Sequence, residues 1–182
     1  MNTDDRALCD ALAADLDGNF EHLVISWQDR LYRFALRVSG SPSDAEEIAQ
    51  DAFVRCYRAL QGYMPDRIRA LSLRAWLYRI TLNVARNRLR RRTPPGEELG
   101  EHAAGTPDPG MLAVRAERVR DLQQALTLLP EVPRAAVVLR YVEELSYGEI
   151  AGVLGIPEGT ARSHVHRGLR TLRELMTEEV TA

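Results

Sequence analysis

Residues 146–174, SYGEIAGVLGIPEGTARSHVHRGLRTLRE, contain the pattern that decides the fold of this chain. Ser146 and Glu149 form an S-x-x-E capping box, which predicts the start of a short helix that ends at Gly155. Pro157 follows at a position where proline commonly opens the next helix. Two helices joined by a tight glycine turn are the layout of a helix-turn-helix.

The second helix of this motif presents polar side chains on the faces that the core does not use. Its first turns are expected to enter the major groove of DNA, and its later arginines to reach phosphates. A helical hairpin with a solvated arginine face is the alternative, but residues 159–173 carry four arginines and no acid, which favours DNA binding. The predicted DNA-binding residues are Thr160, Arg162, Ser163, His164, His166, Arg167 and Arg170.

Apolar residues recur at helical spacing along most of the chain, and no segment shows the alternation of a strand. A first helix over residues 4–17 is predicted to stop at Gly18. Asn19 is predicted to cap a second helix, which ends at Gly40. The predicted fold class is therefore all-α.

Two more helices follow before the composition changes. The third, over residues 43–60, begins with another capping box, formed by Ser43 and Glu46. Residues 61–71 break the apolar pattern and predict a loop. A fourth helix is predicted over residues 72–92.

Residues 93–110 hold four prolines, four glycines, four acidic residues and no arginine. This composition predicts a flexible acidic linker. The linker divides the chain into a helical domain over residues 1–92 and a second small helical domain, with the helix-turn-helix, over residues 111–182. A helix that ends before Pro130 and another opened by Pro133 complete the second domain.

The charge of the chain is separated along its length. The formal net charge is −2, and all 24 basic residues are arginine. Residues 1–29 hold seven acids and one arginine, whereas residues 66–92 hold nine arginines and one acid. The small net charge therefore does not exclude nucleic-acid binding.

The basic helix over residues 72–92 is predicted to follow a phosphate backbone, because the planar guanidinium suits phosphate oxygens. A solvated basic face is the alternative for such a charge run. In the loop before it, Tyr63 can hold an unstacked base. The predicted nucleic-acid-binding residues of this region are Tyr63, Arg74, Arg79, Asn83, Arg86, Asn87, Arg90 and Arg91.

Several function classes find no support in the residues. Cys9 and Cys56 form neither a CxxC pair nor a disulfide framework, and no histidine lies at metal-ligand spacing with a cysteine or carboxylate. No nucleophile elbow, P-loop, GxGxxG or HExxH motif occurs, so we expect no cofactor, no metal and no enzymatic activity. The chain has no long apolar run and no signal-peptide pattern, so we expect a cytoplasmic protein without membrane insertion.

Three blocks, read in order, resemble the extracytoplasmic-function (ECF) sigma factors of the sigma-70 family of bacterial RNA polymerase. The resemblance implies core RNA polymerase and promoter DNA as partners, with an anti-sigma factor as a further partner. The blocks are DAEEIAQDAFVRCYRAL at residues 44–60, RAWLYRITLNVARNRLRRR at 74–92, and LTLLPEVPRAAVVLRYVEELSYGEIAGVLGIPEGTARSHVHRGLRTLRE at 126–174.

The resemblance also implies a role for each region. The loop 61–71 and the helix 72–92 correspond to the part that reads and melts the −10 element, and the helix after Pro157 to the −35 recognition helix. The acidic linker corresponds to the segment that threads towards the RNA exit channel. The residues placed in the helix that docks on the polymerase clamp are Asp44, Glu46, Glu47, Asp51 and Phe53, although a helix dipole alone also explains acids in a first turn.

A second function stays open from the sequence. A transcription regulator that binds DNA through its helix-turn-helix alone, with an N-terminal sensor or dimerisation domain, has the same C-terminal pattern. The basic helix over residues 72–92 favours the sigma factor, because a sensor domain has no need of such a charge.

Overall fold

The computed structural model describes residues 3–92 and 121–178, and these residues form helices without a strand, as the apolar pattern predicts. The predicted linker over residues 93–110 lies outside the described residues, so the domain boundaries stay a prediction. The helices are α1 (Thr3–Ala14), α2 (Leu16–Ser39), α3 (Pro42–Gln61), α4 (Pro65–Arg69), α5 (Leu73–Arg92), α6 (residues 121–128), α7 (Glu131–Tyr141), α8 (Tyr147–Leu154) and α9 (Glu158–Glu178).

The boundary between α1 and α2 differs from the predicted one. Asp15, rather than Asn19, is the N-cap of α2, and its side chain accepts a hydrogen bond from the Gly18 N–H at 3.0 Å. The prediction that Gly18 stops the first helix is wrong, because this glycine lies in the first turn of α2. Asn19 instead donates its side-chain amide to the carbonyl oxygens of Ala11 and Asp15. Its side chain therefore ties the end of α1 to the start of α2.

Two helices begin with a proline that the sequence interpretation did not take into account. The N-cap of α3 is Ser41 rather than Ser43, and Pro42 follows in the first turn, where its missing N–H costs nothing. The predicted loop over residues 61–71 contains a short helix, α4, which Pro65 opens in the same way. α3 therefore begins one residue earlier than predicted, and α4 is a helix that the apolar pattern did not predict.

The predicted ends of α2 and α8 are confirmed, whereas α7 begins at Glu131, with Pro130 as its N-cap, and not at Pro133 as predicted. Gly40 ends α2 with a φ of 76°, and Gly155 ends α8 with a φ of 70°, both in the left-handed region that favours glycine. Ser146 and Glu149 form both hydrogen bonds of the capping box at the start of α8. These signals are local, and their geometry follows from residues at most a few positions apart.

The core of the N-terminal half, residues 3–92, lies between α2, α3 and α5. The predicted inward residues of α3 are all buried. Tyr78 of α5 is 1% exposed, and its ring centroid lies 6.0 Å from that of Trp27 and 5.0 Å from that of Phe34. The contact with Trp27 is edge-on and that with Phe34 is tilted, and both pack α5 against α2.

α7 is the centre of the C-terminal half, residues 121–178. All seven residues from Pro133 to Leu139 are buried, and α7 packs against α8, α9 and α2. α9 crosses α7 at Gly168, where an added Cβ would lie 2.6 Å from Val137 Cγ2 and 3.1 Å from the Pro133 carbonyl oxygen. Only glycine permits so close an approach.

The two halves contact each other through polar bonds at the end of α2. Arg134 of α7 donates from Nη1 to the Val38 carbonyl oxygen at 2.6 Å. Gln123 of α6 donates from Nε2 to the Leu36 carbonyl oxygen at 2.9 Å. The Val38 carbonyl lies in the last turn of α2, where carbonyls lack partners within the helix, whereas the Leu36 carbonyl also accepts the N–H of the C-cap Gly40.

We expect Gly168→Ala to lower the free energy of unfolding by roughly 1–3 kcal/mol, because the new methyl group must displace Val137 or the α7 backbone. Gly152→Ala is the matched control, since a Cβ there meets nothing within 4 Å. Alanine in that helix should stabilise the protein by about 0.5–1 kcal/mol. Urea denaturation measures both effects, and a Gly168→Ala variant as stable as wild type would contradict the packing of α9 on α7.

Candidate nucleic-acid interface

α8 and α9 form a helix-turn-helix in which packing decides which residues of α9 face outward. Ala161 and Val165 of α9 are fully buried, as is Ile150 of α8. At 3.6 residues per turn, burial of positions 161 and 165 turns the residues between them towards the surface. The predicted helix-turn-helix is therefore confirmed, with a polar outer face on its second helix.

Six of the seven residues predicted to bind DNA through α9 are exposed. His164 is the exception: it is half-buried, and its Nδ1 atom is buried without a hydrogen-bond partner among the described residues. Part of this ring therefore belongs to the packing of the motif. The six exposed residues are Thr160, Arg162, Ser163, His166, Arg167 and Arg170.

Arg162 is held in place by both helices of the motif. Its guanidinium carbon lies 4.6 Å from the ring centroid of Tyr147 in α8, and Nη2 lies 3.6 Å from Glu158 Oε1. An exposed cation–π contact contributes about 0.5–1 kcal/mol, which is enough to bias a long side chain towards one orientation. Sequence reasoning missed Tyr147, because an aromatic residue at the start of a helix carries no pattern that points to an arginine fifteen positions later.

A second candidate site surrounds Tyr63, in the turn between α3 and α4. Its ring centroid lies 6.2 Å from that of Trp76, and the guanidinium carbon of Arg67 lies 3.7 Å from the Tyr63 ring centroid. Tyr63 and Trp76 are half-buried, so part of each side chain remains open to a ligand. Aromatic rings beside a positive charge suit the stacking of an unpaired base. Arg67 was not among the predicted residues.

The predicted residues of α5 differ in exposure. Arg86 Nε lies 2.5 Å from Oε1 of Glu131 in α7, so the C-terminal half covers part of this helix. The other predicted residues make no such ion pair within the described residues. The exposed ones are Arg79, Asn83, Arg90 and Arg91, and the half-buried ones are Arg74, Arg86 and Asn87.

The predicted docking residues of α3 differ in exposure. Asp44 is only 2% exposed, and its Oδ1 accepts a hydrogen bond from Arg88 Nε at 2.7 Å. Arg88 Nη1 also lies 2.5 Å from Glu47 Oε2. The hydrogen bond to Asp44 is the largest cause that raises the pKa of Arg88. Phe53 is buried, whereas the acids that remain exposed are Glu46, Glu47 and Asp51.

The remaining predictions concern metal ligands, membrane insertion and the cysteines. Among the described residues, no group of three or more His, Cys, Asp or Glu side chains is placed to hold a metal ion. Within residues 3–92 and 121–178, no helix is both long enough and apolar enough to cross a membrane. Cys56 lies in the core, and burial raises the pKa of its thiol to about 12.

Comparison with known families matches both halves of the chain. Residues 23–94 match the family described as sigma-70 region 2, and residues 120–172 match the family described as sigma-70, region 4. The two matches cover the basic helix α5 in the first case and the helix-turn-helix in the second.

Curated relatives match over most of the chain. The chain is 39% identical over 166 residues to the ECF RNA polymerase sigma factor SigE of Mycolicibacterium smegmatis, with 88% of this chain and 62% of that relative covered. It is 32% identical to the ECF RNA polymerase sigma factor SigW of Bacillus subtilis, covering 87% of this chain and 89% of the relative. It is 35% identical to the RNA polymerase sigma-H factor of Pseudomonas aeruginosa, covering 81% of each.

Two solved structures have a similar fold. CnrH, in complex with the cytosolic domain of CnrY, matches with a TM-score of 0.69 and 26% identity over 96% of this chain and 97% of that one. The sigma factor RpoE of Bartonella quintana, in complex with the anti-sigma factor NepR, matches with a TM-score of 0.71 and 24% identity over 87% of this chain and 96% of that one.

We expect Asp44→Asn to lower the free energy of unfolding by about 1.5–3 kcal/mol, because a buried carboxylate loses its charged hydrogen bond with Arg88. Glu47→Gln is the matched control: the side chain is 54% exposed, so its pairing with the same arginine should contribute less than about 1 kcal/mol. Urea denaturation at neutral pH measures both changes. Equal losses in the two variants would mean that the Asp44–Arg88 bond does not hold α3 against α5.

Proposed function

Because this chain belongs to the sigma-70 family, in its extracytoplasmic-function group, we propose that its two halves divide promoter recognition between them. The chain binds core RNA polymerase and directs it to promoters, where the C-terminal half reads the −35 element and the N-terminal half reads and melts the −10 element. One observation carries this division: a single chain holds an exposed recognition helix and, separately, a basic helix beside an aromatic surface.

The C-terminal half reads the −35 element with α9. Residues in the first turns of a recognition helix reach base edges in the major groove, and residues further along reach phosphates. Arg162 is therefore assigned to a base edge, and Tyr147 and Glu158 orient its guanidinium before DNA arrives. Arg167 and Arg170, which are exposed further along the helix, are assigned to phosphates.

The N-terminal half opens the −10 element by capturing an unpaired base. Tyr63 supplies the stacking surface, with Trp76 beside it and Arg67 over it. Stacking favours the melted strand over the duplex, because only an unpaired base offers both faces to an aromatic ring. Binding of the unpaired base supplies the free energy that opens the strands, so strand opening requires no catalytic residue and no cofactor.

Docking on core polymerase is assigned to α3. Glu46, Glu47 and Asp51 are exposed and can pair with a basic partner surface. Asp44 is buried against Arg88, and Arg88 also holds Glu47, so Asp44 acts by positioning Glu47. The same arginine belongs to the helix assigned to −10 DNA, which links polymerase docking to DNA reading. Since core polymerase is the partner, the proposed place of action is the cytoplasm.

Promoter binding requires the two halves to separate. Elements about 25 base pairs apart lie roughly 85 Å from each other at 3.4 Å per pair. The described halves instead touch through Arg134 and Gln123. Eighteen extended residues span at most roughly 60 Å, so the segment over residues 93–110, together with the size of each half, is long enough to bridge this distance.

An anti-sigma factor is proposed as a further partner. Support comes from CnrH, a similar protein over nearly the whole chain, whose structure contains the cytosolic domain of CnrY. The alternative of a regulator with an N-terminal sensor domain is disfavoured, because residues 23–94 match a sigma-70 region rather than a sensor.

Run-off transcription with core RNA polymerase tests the function, and Tyr63→Ala tests the role of the N-terminal half. The wild-type holoenzyme should start transcripts at specific promoters. Tyr63→Ala should lower open-complex formation about tenfold, since stacking is worth about 1–3 kcal/mol per base. Tyr63→Phe, which keeps the ring, is the control and should retain activity. Absence of promoter-specific transcripts from the wild type contradicts the function, whereas a fully active Tyr63→Ala variant contradicts only the stacking role.

A further inference from the structure

Four arginines line a cleft between the two halves, and of these only Arg74 is among the predicted nucleic-acid-binding residues. Arg30, Arg33 and Arg37 come from α2, and Arg74 comes from the start of α5. We call this the arginine cleft; its volume is about 310 Å³. Asp5 and Tyr78 complete the N-terminal side, and Val142, Glu143 and Glu144 line it from the C-terminal half.

The arginines of the cleft are not used in ion pairs. Within the described part of the chain, none of the four has a carboxylate oxygen within 4.0 Å, whereas Arg69, Arg86 and Arg88 of the same half all do. Arg30 lies over the Trp27 ring at 5.1 Å, and Arg37 donates from Nη1 to the Arg33 carbonyl oxygen. Arginines that converge without carboxylate partners form a surface that suits an anion.

A short segment of the C-terminal half, residues 142–145, stands over this cleft; we call it the acidic loop. Glu143 accepts a hydrogen bond from the Tyr78 hydroxyl of α5. Glu144 has a φ of 53°, in the left-handed region that a glutamate rarely adopts, and it lines the cleft. The loop therefore places two carboxylates beside four guanidinium groups, in a backbone conformation that the surrounding packing must enforce.

We infer that the arginine cleft binds the phosphate backbone of promoter DNA and that the acidic loop closes it while the two halves are together. The inference rests on the proposed function, because promoter binding is what separates the halves. Separation removes Glu143 and Glu144 from the cleft and leaves Asp5 as the only acid among the described residues that line it.

The spacing of the arginines fits a DNA strand. Arg30, Arg33 and Arg37 extend over roughly 10 Å of helix axis at 1.5 Å per residue. A DNA strand carries one phosphate per roughly 3.4 Å of duplex axis, so about three phosphates match this length. Arg74 continues the surface onto α5, the helix assigned to −10 DNA. This continuity favours DNA over an acidic protein as the occupant.

Anisotropy titrations of the full-length free protein with a labelled promoter fragment test the inference. Glu143→Gln/Glu144→Gln should raise DNA affinity about tenfold relative to Asp17→Asn/Glu21→Gln, a control pair with the same change in charge on exposed residues. Adding Arg33→Gln/Arg37→Gln to the acidic-loop variant should abolish this gain. It should also reduce the steepness of log K against log salt by roughly 1–2, as expected when two phosphate contacts are lost.

Arg6→Gln, on an exposed arginine outside the cleft, controls for lost positive charge. The inference fails if the acidic-loop variant binds no better than its control pair, or if its gain survives loss of Arg33 and Arg37. It also fails if the arginine substitutions leave DNA affinity unchanged but weaken binding of polyglutamate, which would make the cleft a protein-docking site. Run-off transcription by the wild-type holoenzyme separates failure of this inference from failure of the proposed function. If the wild type transcribes from promoters but the variants do not change DNA affinity, only the role of the arginine cleft is contradicted.

Discussion

The guanidinium of Arg134 joins the two halves of the protein. This side chain is 5% exposed and donates to three carbonyl oxygens: Val38 at the end of α2, and Thr127 and Leu129 just before α7. Burial lowers the pKa of Arg134, and the charge of nearby Glu131 opposes that shift. Helix C-terminal carbonyls carry partial negative charge, so the end of α2 is a favourable place for a buried cation that has no carboxylate bonded to it.

Further polar contacts cross the joint, beside the packing of α8 against α5 and of α7 against α2. Gln123 donates to the carbonyl of Leu36, two residues before Val38. Arg86 pairs with Glu131, and Tyr78 donates to Glu143. Hydrogen bonds of this kind exchange with water at a small net free energy, so these polar contacts can give way when a larger surface competes for the halves. In the proposed function, core polymerase and promoter DNA supply that surface, and the distance between the two promoter elements requires the halves to separate.

Sequence reasoning succeeded where the signal is local. The Ser146–Glu149 box and the turn at Gly155 lie within one motif, and apolar spacing alone placed the buried faces of α2 and α3. It failed at Asn19 and Ser43, because several capping residues stand close together there and only the packing of the helices chooses among them. Contacts between distant residues could not be predicted from local sequence patterns. The bond of Arg88 with Asp44 joins residues 44 positions apart, and that of Arg134 with Val38 joins residues 96 positions apart.

The arginines of α2 show a further limit of the sequence. The charge counted along the chain predicted a nucleic-acid-binding surface on α5. The arginine cleft could not be predicted in this way, because it forms only when folding brings α2, α5 and residues 142–145 together. The recognition helix is the contrasting case, since a single helical period decides which of its residues face outward. Six of its seven predicted residues are exposed for that reason, and His164 is the one that packing turns partly inward.

The central claim is that the halves are joined in the free protein and separate on the promoter. Energy transfer between dyes at Gln28→Cys on α2 and Gln124→Cys on α6 measures this distance, and the buried native cysteines leave the new thiols as the labelled sites. Both positions are exposed. We expect high transfer in the free protein and a fall to near zero with core polymerase and promoter DNA. Low transfer in the free protein, or high transfer that persists in the promoter complex, would contradict the account.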